Sequence, residues 1–139
     1  MSIRSALVAG LGLATIGAGG ALAHHSSALF DGGKEVVVEG TVKGFQYTNP
    51  HSWLLVEAVD TAGKQFQWSF EAEGPSTLLR SGIKKSSLRP GDRVTVRGHP
   101  LKDGRAGGVI ISVTKHDGTL LHAPMGGSAP AGPDGPMLR

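Results

Sequence analysis

A two-residue rhythm constrains this chain more than any other feature. From Lys34 to about His122, apolar and polar residues alternate, and turn residues cut the rhythm about every ten positions. Glu35 to Phe45 sets Val36, Val38, Gly40 and Val42 on one face, with Glu39, Thr41 and Lys43 on the other. Ser52 to Asp60 repeats the pattern with Leu54, Val56 and Ala58, and Asp60-Thr61-Ala62-Gly63 closes it as a turn. Gln65 to Glu71 is the cleanest run: Phe66, Trp68 and Phe70 point inward, and Gln65, Gln67, Ser69 and Glu71 point outward. Such runs are half-buried strands.

The rhythm then breaks. Gly74 to Gly82 reads as a short helix, with Pro75 in its first turn and Gly82 at its stop. Arg89-Pro90-Gly91-Asp92 is a tight turn into a strand from Arg93 to Gly98, where Val94 and Val96 alternate with Arg93, Thr95 and Arg97. After a turn at Asp103-Gly104, Val109, Ile111 and Val113 mark a fifth strand, and a short sixth runs through Leu121. The expected fold is therefore all-β: a small OB-like barrel of five to six strands with one short helix between strands 3 and 4. The helix would plug one end with Leu78, Leu79 and Ile83. The rival is an unclosed meander or sandwich.

The N-terminus reads as an export signal. Arg4 supplies the positive region, Ala6 to Ala21 is uncharged, and Ala21-Leu22-Ala23 offers small residues for cleavage. The stretch is too short and too glycine-rich for a membrane span. The expected organisation is a signal peptide over 1–23, an extended segment over 24–34, the barrel over 35–122 and a disordered Gly/Pro-rich tail over 123–139. The expected localisation is periplasmic or secreted, with the mature chain soluble. There are no cysteines, so neither disulfides nor thiolate metal sites enter. The net charge is +3 with neutral histidines, and Arg4 leaves with the signal. That is too mild to imply a nucleic-acid partner.

Six histidines direct attention to metals. His116 and His122 lie at the last turn and beside the tail and read as exposed and inert. After cleavage His24 and His25 would open the chain, where an α-amine and an imidazole on one residue suit copper or zinc. His51 follows Thr48-Asn49-Pro50 in the first turn, Glu71 ends the third strand and His99 ends the fourth. In an OB barrel the first and fourth turns flank the ligand mouth, so His51, Glu71 and His99 are candidate ligands for Cu or Zn, with His24 and His25 able to join them. The competing reading gives these residues turn and surface roles. A metal-free alternative rests on Tyr47, Asn49 and Trp53, which would receive a small envelope ligand or a protein partner. Trp68 reads as core, and Lys43, Arg93 and Arg97 as a solvated face. No Gly-x-Ser-x-Gly elbow, phosphate loop or paired carboxylates point to catalysis, so the chain reads as a binding module and not an enzyme.

Five motifs then stand in order: His24-His25-Ser26, Thr48-Asn49-Pro50-His51, Trp68-Ser69-Phe70-Glu71, Leu88-Arg89-Pro90-Gly91-Asp92 and Gly98-His99-Pro100. Together they resemble a family of exported bacterial proteins of unknown function, over roughly His24 to Leu121. The resemblance implies a small periplasmic or secreted β-domain. It brings no assigned activity and no catalytic residues.

Overall fold

The structure, a computed structural model, describes residues 27–124. The expected signal peptide, His24, His25 and the tail beyond Pro124 lie outside the described residues. The alternating runs form β1 (Val36–Gln46), β2 (Ser52–Val59), β3 (Gln65–Ala72), β4 (Arg93–Pro100), β5 (Gly107–Lys115) and β6 (Leu120–His122), with α1 (Pro75–Arg80) between β3 and β4. Hydrogen-bonded neighbours run β3-β2-β1-β4-β5-β6, and a parallel β3–β5 pairing closes the first five strands into a barrel. This is the OB-like architecture that strand order implies, with β6 as an added strand.

β1 is shared between the two halves. Thr41 to Gln46 pair with β2, Val36 to Thr41 pair with β4, and Thr41 belongs to both ladders. The inward faces of the strands supply the core, in which Val42, Leu54, Val56, Phe70 and Val96 are fully buried. Burying one such side chain is worth about 1.5–3 kcal/mol. α1 covers one end. Its C-terminus is closed by Gly82 at φ 80°, with the Gly82 N–H donating to the Leu79 carbonyl and the Ile83 N–H to the Leu78 carbonyl. That arrangement turns Leu78 and Ile83 together into the core.

The barrel closes around Phe70, and glycine makes the closure possible. A Cβ on Gly98 would stand 2.5 Å from the Val109 carbonyl oxygen and 3.2 Å from the Phe70 ring. One on Gly108 would meet the His99 carbonyl oxygen at 2.5 Å and the same ring at 3.3 Å. Any side chain at either position would push the strands apart at the seam.

The segment before β1 is docked, and one boundary differs from the sequence reading. The segment before β1 runs along the end of β4: Phe30 bridges Leu101, the Asp31 N–H donates to the Pro100 carbonyl at 2.9 Å, and the Lys102 N–H to the Leu29 carbonyl at 2.9 Å. Ala123, assigned to the tail, is buried in the core, and its N–H donates to the Ile111 carbonyl. Among the described residues no helix is long and apolar enough to cross a membrane.

Candidate functional site

The first turn is held by the residues around it. The Tyr47 hydroxyl lies 3.0 Å from the Pro75 carbonyl and 2.8 Å from that of Ile83, so it ties the turn to both ends of the α1 segment. Its ring meets Phe45 edge-on at 5.5 Å. The Thr48 hydroxyl donates to the His51 carbonyl at 3.1 Å. Gly74 lets the turn press against the start of α1, since a Cβ there would stand 2.6 Å from the Pro50 carbonyl oxygen. Tyr47 is therefore an anchor, because its hydroxyl is committed to backbone carbonyls at the start of α1 and just beyond it. Asn49 is exposed in the same turn.

This scaffold delivers His51 to Glu71. Ser52 pairs with Ala72 and Trp53 with Glu71 across β2 and β3. Ser52 and Leu54 are buried, so the alternation puts His51 and Trp53 on the outer face. His51 Nδ1 contacts Glu71 Oε1 directly. Glu71 is only 8% exposed, although it too lies on the outer face. Burial raises its pKa above the ordinary carboxylate value; the nearby charge of Glu73 pushes the same way, and His51 opposes both. Trp53, 36% exposed, stands beside this pair in the same cross-strand row.

His99 does not join them. Its Nδ1 donates to the Lys34 carbonyl at 2.6 Å, in the segment leading into β1. Glu71 and His99 both register with Val109, one from each side of β5. Their backbones are thus two strand spacings apart, roughly 9–10 Å. Among the described residues, no three His, Asp or Glu side chains are grouped so as to hold a metal ion. The expected trio resolves into a His51–Glu71 pair and a separate His99. Sequence reading gives Glu73 no role, yet its charge acts on Glu71. That reading also missed the Lys34 carbonyl, for which no sequence signal exists. Trp68 faces inward, stacked on Phe70 at 5.4 Å, and His116 and His122 are exposed, as the sequence implies.

The chemistry available is that of a fixed imidazole beside a flat ring. A carboxylate accepts from Nδ1–H of His51 and a carbonyl accepts the same proton of His99. In both rings Nε2 has no hydrogen-bond partner among the described residues. Such an Nε2 can accept from a ligand hydroxyl or bind a metal.

No curated protein and no solved structure matches this chain significantly. The comparison with protein families matches residues 13–112 to a family of unknown function, DUF6152. That span is well over half the sequence, and the chain therefore belongs to the DUF6152 family.

Proposed function

We propose that this protein is an exported, non-catalytic binding module, periplasmic or secreted, which seats a small envelope ligand on the outer face of β2 and β3. The observation that carries this reading is the row Trp53–Glu71 with His51 bonded to its carboxylate. An aromatic face next to a fixed imidazole suits a ligand that stacks and offers hydroxyl groups, such as an envelope glycan. The export part rests on Arg4, the uncharged stretch to Ala21 and the Ala21-Leu22-Ala23 site. Titration with envelope oligosaccharides in the presence of chelator, read by tryptophan emission, tests the ligand seat. Quenching should vanish in Trp53→Ala and weaken in His51→Ala; quenching that survives in Trp53→Ala would move the seat elsewhere.

A second reading, binding of copper or zinc, is favoured by one specific observation. Histidines that bind metals commonly donate their other ring N–H to a carboxylate or a carbonyl, and His51 and His99 do these two things respectively. On this reading each ring is one donor of a site that needs others, His24 and His25 among them. Calorimetric titration of the processed protein with Cu(II) and Zn(II) decides it. Unchanged binding in His51→Ala and His99→Ala would reject both rings as ligands.

A further inference from the structure

Where β1 passes from one half of the barrel to the other, a groove of about 540 Å³ crosses the outer surface. Its lining includes Glu39 and Thr41 of β1, Glu57 of β2, and Arg93 and Thr95 of β4. These residues alternate with the buried Val38, Val42, Val56, Ala58 and Val94, so all five face outward.

Charge is distributed unevenly across the groove. The acids sit on β1 and β2, and the bases on β4 and β5. Two of the lining charges are already paired: Glu57 with Lys43 at 3.2 Å, and Lys115 with Asp92 at 3.2 Å. Among the described residues, Glu39 and Arg93 have no ion-pair partner, not even each other. They are diagonal neighbours, since Glu39 registers with Thr95 and Arg93 with Thr41. Backbones so related lie about 7–8 Å apart. The hydroxyls of Thr41 and Thr95 occupy the same two rows, one beside each charge.

We propose that this groove is a second binding site, for a short zwitterionic peptide with free termini. The ligand's carboxylate takes the Arg93 guanidinium, which offers two parallel donors to such a group. Its ammonium takes Glu39, and Thr41 and Thr95 serve the amide between. The threonine hydroxyls beside the two charges call for an amide between the ligand's termini, which a single amino acid lacks. This site is independent of the Trp53 face.

NMR titration of the protein with dialanine tests it, with N-acetylated and C-amidated dialanine as the paired probes. Dialanine should shift the amides of Thr41 and Thr95 and leave that of Trp53 unmoved. Blocking either terminus should weaken binding about tenfold, the usual worth of one charge-assisted hydrogen bond. Arg93→Gln should erase discrimination against the amidated probe alone, and Glu39→Gln discrimination against the acetylated probe alone. Trp53→Ala should bind dialanine as the parent does. Equal binding of free and blocked peptides, or no shift at Thr41 and Thr95 at saturating peptide, would overturn the proposal.

Discussion

The first turn and the end of β4 each fix a histidine through Nδ1, and they do so by different means. His51 is bound to a carboxylate in the body of the barrel, on a turn clamped by Tyr47, Thr48 and Gly74. His99 is bound to a backbone carbonyl of a segment that merely runs along the edge of β4. The first arrangement contains a titratable partner and depends on the core. The second has a partner that cannot titrate, and lasts only while residues 27–34 stay docked. Two rings with the same local hydrogen bond should therefore respond differently to the same perturbation.

Removing the edge segment's anchor is the strongest way to separate them. Phe30 is the buried side chain that holds the segment against Leu101. Phe30→Ala should cost about 3 kcal/mol, the low end for a buried phenylalanine. The loss should be local. Amide exchange at Asp31 and Lys102 should accelerate, because their hydrogen bonds join the segment to the end of β4 and the turn after it. The Thr48–Ser52 stretch should keep its protection. Equal acceleration in both regions would show that the two histidines share one cooperative unit.

The pH response should separate them next, with Glu71 as the source. Its pKa is raised by burial, so the folded state holds this proton more tightly than the unfolded state. The unfolded chain releases it near the ordinary glutamate value, about 4.3. From there up to the raised folded value, the native state binds more protons, and stability falls as pH rises. Thermal melts from pH 4 upward should show this decline in the parent. Glu71→Gln should flatten it, and His51→Ala should steepen it by removing the group that favours the ionised form. The Lys34 carbonyl gives His99 no comparable titrating partner. A parent whose stability climbs through this window would contradict the account of Glu71.

Much of this architecture is legible in the sequence. Strands β1 to β5 follow from period two, because each has one face to bury, and α1 follows from Pro75 and Gly82. Strand order alone leads to the OB-like closure. The His51–Glu71 pair is legible for the same reason: the end of one strand and the start of its neighbour share a pole. What is not legible is lateral register around a closed barrel. Whether Glu71 meets His99 or stops at Val109 depends on the β3–β5 pairing and on the irregularity between Arg97 and Gly98. Their mark in residue type is the glycines Gly98 and Gly108, which permit the close approach but do not say which strands make it. Tyr47 fails for another reason. An aromatic hydroxyl near a mouth looks the same in sequence whether it awaits a ligand or ties down a helix. The groove at Glu39 and Arg93 was invisible because its charges look like any solvated face until β1 is seen to divide between two partners.

The smallest effect distinguishes the two imidazoles themselves. His99→Ala removes one hydrogen bond to a backbone carbonyl that is close to solvent, and should cost about 1 kcal/mol or less. His51→Ala leaves Glu71 buried with Glu73 as its neighbour and no basic partner, so at neutral pH it should cost more than His99→Ala. The double variant Glu71→Gln with His51→Ala should recover part of that loss, since it removes the stranded charge together with its partner. Denaturant midpoints at pH 7 for the three variants make the comparison. If His99→Ala proves the more damaging single change, the edge segment and not the clamped first turn is the firmer of the two supports. The outer face beside Trp53 would then lose its claim to be the rigid seat for a ligand.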